Sequence, residues 1–249
     1  MNEFYIPSDG IRLHAKLEKP EGTEKCPLVI LVHGLTGHME ERHILAAART
    51  MLASGYAVLR VEMYGHGGSE GEFRKHTLFK WIGNIMDVTD YARSLDSVTG
   101  LILCGHSQGG LLTVLAGGMR PDTYDALIPL SPAVSLPDMA RKGVFFDARF
   151  DPDHVPDEVD VGKYYLDGDY FRCAQLIHPE DAVRRYPGPV LIVHGEADEA
   201  IPISWARGTA SLYQNCRLAV VPDDLHCYDR HVDLMAEAVK SFLTQLKLI

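Results

Sequence analysis

The sequence predicts an α/β fold built on a mostly parallel central sheet flanked by helices. Three observations carry that prediction. Short, near-continuous apolar runs recur along the chain, as they do in strands buried on both faces. Longer stretches with apolar residues at helical spacing separate those runs. Strand, helix, strand in repetition closes as right-handed crossovers on an open sheet. Of the 249 residues, 46% are hydrophobic and 23% charged. That balance belongs to a globular chain and excludes a disordered or collagen-like one.

Taken in order, the first element is a hairpin. Ile11 to Leu17 alternates apolar and polar residues, and Ser8-Asp9-Gly10 before it is a turn signal that pairs it with Phe4 to Ile6. Buried strands are expected at Leu28 to Val32, Ala57 to Val61, Leu101 to Cys104, Ala126 to Leu130, Val190 to His194 and Arg217 to Val221. Helices are expected at the Ala-rich stretch Glu41 to Ala53, then at Leu78 to Leu95, Gly109 to Met119, Ile203 to Leu212 and Val232 to Leu246. Between Ser131 and His178 the rhythm lapses. That segment carries Pro132, Pro137, Pro152 and Pro156 beside Phe145, Phe146, Phe150, Tyr164, Tyr165, Tyr170 and Phe171. A long irregular insertion rich in aromatic side chains reads as an ordered lid. The expected division is therefore a core of residues 1–130 and 179–249 with an inserted lid at 131–178.

Charge narrows the partners. Lys and Arg number 24 against 34 Asp and Glu, a net charge of −10. A nucleic-acid binder needs a basic patch or stripe, so nucleic acid is not an expected partner. No apolar run approaches the roughly 20 residues of a membrane span, and the first residues lack a basic region followed by an apolar one. The five cysteines, Cys26, Cys104, Cys173, Cys216 and Cys227, are odd in number and lack paired spacing. They read as reduced thiols of a cytoplasmic protein.

The chemistry-bearing motif is Gly105-His106-Ser107-Gln108-Gly109, which follows the strand Leu101 to Cys104 and precedes a helix. Strand, sharp turn and helix together project a serine hydroxyl from a strained elbow. Such a serine needs a base, and the base an orienting acid, in the chain order Ser, Asp or Glu, His. Past the strand Val190 to His194 stand Glu196, Asp198 and Glu199, any of which could be the acid. Past the last strand stands His226. Its rivals are His194, which ends a strand, and His231, which opens the last helix. His33-Gly34-Leu35-Thr36-Gly37 follows the first buried strand. A backbone amide from that loop, at Leu35, and the amide after the serine, at Gln108, would form an oxyanion hole. His33 itself reads as a loop brace. The Gly-rich turn Glu62 to Ser69 lacks phosphate-loop spacing. No histidine pair has zinc-ligand spacing, so neither a metal nor another cofactor is expected.

With these motifs in order, the whole chain resembles the α/β-hydrolase superfamily. It is most similar to bacterial cinnamoyl or feruloyl esterases. The matching stretches include His33-Gly34-Leu35-Thr36-Gly37-His38, Glu41-Arg42-His43, Met63-Tyr64-Gly65-His66-Gly67, Gly105-His106-Ser107-Gln108-Gly109-Gly110 and His226-Cys227-Tyr228-Asp229. The loop before His226 departs from the family in having no glycine beside the histidine. The resemblance implies Ser107 as nucleophile, Asp198 as acid and His226 as base. It also implies a lid over the site and small-molecule hydroxycinnamate esters as substrates. Candidate groups for the substrate ring are Asp138 and Tyr170, with Tyr164, Tyr165, Phe145 and Phe146 around them. The same triad would serve a monoacylglycerol lipase, a general carboxylesterase or a thioesterase, and more remotely the fold could serve a non-catalytic ligand-binding protein. A homodimer is left open.

Overall fold

The computed structural model describes residues 2–249. In chain order the elements are β1 (Asn2–Ser8), β2 (Ile11–Glu18), β3 (Cys26–Val32), α1 (Arg42–Ala53), β4 (Ala57–Val61), α2 (Leu78–Arg93), β5 (Val98–His106), α3 (Gln108–Met119) and β6 (Ala126–Leu130). Then come α4 (Leu136–Arg141), β7 (Val144–Phe145), β8 (Ala148–Arg149), β9 (Glu158–Asp160), β10 (Tyr165–Asp167), α5 (Gly168–Gln175) and α6 (Pro179–Arg185). The chain closes with β11 (Val190–Gly195), α7 (Ile203–Leu212), β12 (Cys216–Val221) and α8 (Val232–Leu246). Among the described residues no helix is long and apolar enough to cross a membrane.

Eight strands form one sheet in the order β1-β2-β4-β3-β5-β6-β11-β12. β1 and β2 pair antiparallel, as do β2 and β4, and every later pairing is parallel. This is the α/β-hydrolase architecture. Side chains alternate across the sheet and divide the core in two. Leu28, Ile30 and Val32 of β3 pack in one layer with Trp81 and Ile85 of α2 and Leu111 of α3. Val29 and Leu31 pack in the other with Ile44 and Ala47 of α1 and Met235 and Val239 of α8. Each of the Val, Leu, Ile and Met side chains contributes about 1.5–3 kcal/mol on leaving water. The strand order reverses at β3, between β4 and β5. Open α/β sheets bind ligands at such a switch point, beyond the carboxyl ends of the strands. There the His33 loop and the Ser107 elbow lie side by side.

The structure departs from the sequence reading in two places. β12 is only partly buried, because it is the edge strand and has a neighbour on one side alone. The segment after β6 is not irregular throughout. It holds α4 and α5, only 6 and 8 residues long, and two short hairpins, β7–β8 and β9–β10. Elements this brief present too few turns to show a period, and prolines open α4 and the 7-residue α6. Aromatic packing orders the segment: the Phe145 ring stands edge-on to Phe171 at 5.1 Å and to Tyr170 at 5.5 Å.

The elbow between β5 and α3 fixes why glycines flank the serine. A Cβ on Gly109 would lie 2.5 Å from the His33 carbonyl oxygen and 2.7 Å from that of Val32, while one on Gly105 would strike the Gly109 backbone. These neighbours are main chain at the end of β3 and in the first turn of α3 and cannot swing aside. Gly109→Ala should therefore cost about 1–3 kcal/mol through overpacking. At roughly 2–4 °C per kcal/mol for a domain of this size, thermal unfolding should reveal a Tm lower by several degrees. An unchanged Tm would contradict this account of the turn.

Candidate active site

Ser107 sits at the junction of β5 and α3 with φ 55° and ψ −116°. An L-residue pays of order 1–3 kcal/mol for such a conformation. Three main-chain bonds hold it there. The Ser107 amide donates to the Leu130 carbonyl at 2.9 Å, and the Ser107 carbonyl accepts from the amides of Leu111 and Ala133, each at 2.9 Å. The elbow is thus pinned to β6 and to the first turn of α3.

The Ser107 hydroxyl lies 2.8 Å from His226 Nε2, and His226 Nδ1 lies 2.7 Å from Asp198 Oδ2. Of the three carboxylates left open by the sequence, Asp198 is the one in contact with His226. Its Oδ1 accepts the amides of Ala200 at 3.0 Å and Ile201 at 2.8 Å. His194 Nε2 stands 3.1 Å from Asp198 Oδ2 and 2.8 Å from the Ile201 carbonyl. Burial works to raise the Asp198 carboxyl. The bonds from His194, His226 and the Ile201 amide outweigh it and hold the group below the usual carboxylate range. The acid is thus ionised and fixed in orientation.

The loop carrying His226 is held by residues that motif reading passed over. Asp224 is fully buried. Its Oδ1 accepts the amides of Leu225 at 2.8 Å and Arg230 at 3.0 Å, and its Oδ2 accepts the amide of His231 at 3.0 Å. Tyr228, also fully buried, accepts from the Ser131 hydroxyl at 2.9 Å and donates to the Val193 carbonyl at 2.9 Å. The one sequence signal was a pair of aspartates, Asp223 and Asp224, separated from the histidine by Leu225, which reads as ordinary loop polarity.

His33 is fully buried and pushed down to about 3 by burial, so its ring is neutral. Nδ1–H donates to the Gly34 carbonyl at 2.7 Å and Nε2 accepts the Met63 amide at 3.0 Å. It braces the loop that brings Gly34 so close to Ser107 that an added Cβ would lie 2.9 Å from the serine Cβ. Among the described residues, neither the Leu35 nor the Gln108 amide donates to a protein acceptor. At Gln108 this follows from its place as the first residue of α3, where helix amides have no partner.

A cavity of about 390 Å³ opens onto Ser107 and His226, walled by Leu35, Phe145, Phe146, Val161, Tyr164 and Ala200. The other ring-binding candidates do not line this cavity. Asp138 lines a separate cavity of about 270 Å³ beside Trp205, and its carboxylate pairs with Lys142 at 2.8 Å. Tyr165 is exposed on a β9–β10 hairpin, outside the cavity wall. Tyr170 is wholly buried, with its hydroxyl donating to Gln108 Oε1 at 2.8 Å. Phe145, Phe146 and Tyr164 thus line the cavity at the serine, while Asp138 and Tyr165 stand outside its wall and Tyr170 is buried beside Gln108, the residue that follows the serine.

Comparison with known proteins agrees with this arrangement. Residues 23–157 match the family model described as serine aminopeptidase, S33. A structure of ferulic acid bound to Est1E from Butyrivibrio proteoclasticus is 51% identical, covers 98% of each chain and superposes with a TM-score of 0.96. A human mitochondrial palmitoyl-protein thioesterase is 27% identical over 72% of this chain, which spans 59% of that protein's length. A monoacylglycerol lipase of Mycolicibacterium smegmatis is 23% identical over 80% of this chain and 79% of its own.

The hydrogen-bonded serine should react with a fluorophosphonate. Labelling followed by peptide mass spectrometry should find the adduct on Ser107. Ser107→Ala should take no label, and His226→Ala should slow labelling by about 10²-fold or more, since the imidazole removes the hydroxyl proton. An adduct on a different serine would contradict the geometry.

Proposed function

The chain belongs to the α/β-hydrolases of the serine aminopeptidase S33 family, and from that membership we propose how it cleaves hydroxycinnamate esters. It is a serine ester hydrolase. Ser107 is the nucleophile, His226 its base and Asp198 the orienting acid. The single observation that carries this reading is the continuous hydrogen-bonded line from Ser107 Oγ through the His226 ring to Asp198.

In this reading His226 Nε2 accepts the hydroxyl proton as Ser107 Oγ attacks the ester carbonyl. The free amides of Leu35 and Gln108 donate to the oxygen that becomes negative. The loss of one such donor costs about 10²–10³ in rate in hydrolases of this type. The imidazolium, stabilised by Asp198, gives its proton to the departing alcohol. Water then repeats the cycle on the acyl-enzyme and releases the acid. Asp198 need only stay charged, which its four donors ensure.

Residues 131–178 act as a lid whose aromatic side chains select a flat acyl group. Phe145, Phe146 and Tyr164 supply that wall, and Phe73 backs Tyr164 with ring centroids 4.8 Å apart. A cavity of this size suits a single-ring acyl group. A second reading, hydrolysis of long acyl esters or thioesters, draws on the thioesterase and lipase relatives. The odd, unpaired cysteine spacing supports action in a reducing cytoplasm.

With methyl ferulate, Ser107→Ala should lower kcat by about 10⁴-fold or more while leaving the unfolding transition in place. A variant that still turned over substrate would remove Ser107 from the reaction. For the wild type, kcat/KM on methyl ferulate should exceed that on long-chain p-nitrophenyl esters. The reverse preference would favour the lipase-like reading.

A further inference from the structure

We propose that His43, His106 and Cys227 form a binding site for a borderline-soft divalent transition-metal ion such as Zn²⁺, and that an ion held there switches the Ser107 site off. One ligand atom from each of these side chains lies within 4.8 Å of the other two. The two imidazoles are 3% exposed and their rings are 4.1 Å apart. Each carries a buried nitrogen that has no hydrogen-bond partner among the described residues, Nε2 of His43 and Nδ1 of His106. Buried polar atoms are nearly always satisfied, so two unpaired nitrogens beside one thiol call for a reason.

The donor set fits a metal. His106 Nε2–H donates to the His226 carbonyl at 2.9 Å. Nδ1 of the neutral ring is therefore a bare lone pair. A metal-ligating histidine typically donates its other ring N–H to a carbonyl or carboxylate in this way. Both rings are buried with one nitrogen free, and the neutral imidazole is the form that coordinates. Two imidazoles and a thiolate are ligands that zinc accepts. Tetrahedral zinc would need donor atoms roughly 3.3–3.7 Å apart, given its usual bond lengths. The donors would draw together by about an ångström. The Glu41 carboxylate, 3.9 Å from His43 Nε2, is placed to supply a fourth ligand. On binding, the Cys227 S–H bond breaks, the sulfur–metal bond forms and the proton passes to water. No oxidant or reductant is needed.

The site is reached through the catalytic cavity, because Glu41, His106 and Cys227 all line it. Neither His43 nor Cys227 has a part in the hydrolytic steps. The coupling to activity is covalent: Cys227 is peptide-bonded to His226 and His106 to Ser107. An ion that draws Cys227 and His106 together shifts the base relative to the nucleophile, whose separation is 2.8 Å. Metal binding stands apart from the hydrolytic reading, and only the inhibition rests on it.

Cobalt substitutes for zinc and reports its ligands, so titration of the metal-free protein with Co²⁺ tests the site directly. The expected result is a one-to-one complex with a thiolate-to-cobalt charge-transfer band in the near ultraviolet. The band should persist in Ser107→Ala and vanish in Cys227→Ser, and His43→Gln should weaken binding tenfold or more. In parallel, Zn²⁺ should inhibit the wild type on methyl ferulate. The half-inhibitory concentration should rise tenfold or more in Cys227→Ser and His43→Gln, each compared with its own metal-free rate. Absence of the charge-transfer band in the wild type would overturn the proposal without touching the hydrolytic reading. Equal zinc sensitivity of both variants would also overturn it, placing the inhibitory ion on His226 instead.

Discussion

The reactive edge depends on one strained residue, Ser107 at φ 55°. The backbone there can neither continue β5 nor begin α3 in an ordinary conformation, so the hydroxyl is pushed out above the sheet. The strain, of order 1–3 kcal/mol, is offset by the bonds to Leu130, Leu111 and Ala133. It also requires close backbone approach on both sides, at Gly34 and at Gly109. The same turn leaves the first amide of α3 without a partner. A strained turn therefore supplies both the exposed nucleophile and one oxyanion donor.

A second constraint is the accounting of buried charge. Asp198 is 5% exposed, and an isolated carboxylate there would neutralise itself by taking a proton. Two amides and two imidazoles prevent that, and one of the imidazoles is the proposed base. On the other side of His226 the polar groups are not all paired. The nitrogens of His43 and His106 stand unpaired beside the Cys227 thiol, and the metal proposal grows from that grouping.

Much of this was legible in the sequence, for identifiable reasons. Parallel strands buried on both faces, such as Leu28 to Val32, read as unbroken apolar runs. The elbow had both its glycines and its flanking strand and helix. Asp198 could not be told from Glu196 or Glu199 by spacing alone, because the choice depends on which carboxylate the β11–α7 loop turns inward. The resemblance to known esterases supplied it. Asp138 and Tyr170 were candidates for the ring hydroxyl because the resemblance to known esterases matches them to that role. In the inserted segment the fold turns Tyr170 into its own core and Asp138 toward a different cavity, outcomes set by short elements that carry no periodic signal. Of the supports, Tyr228 ties Ser131 and Val193 to the histidine loop across 97 and 35 residues of chain, while Asp224 and His194 act within their own loops, through turns that no spacing rule marks. The cluster of His43, His106 and Cys227 is assembled from the first turn of α1, the end of β5 and the loop after β12, so no spacing rule could have found it.

The central claim is that Ser107 carries the acyl group between the two halves of the reaction. Rapid-quench mass spectrometry of the enzyme mixed with methyl ferulate tests it most directly. The account predicts a feruloyl adduct confined to the peptide containing Ser107, formed before steady state and lost as ferulate appears. Steady release of ferulate with no adduct at any time, or an adduct on another residue, would contradict it.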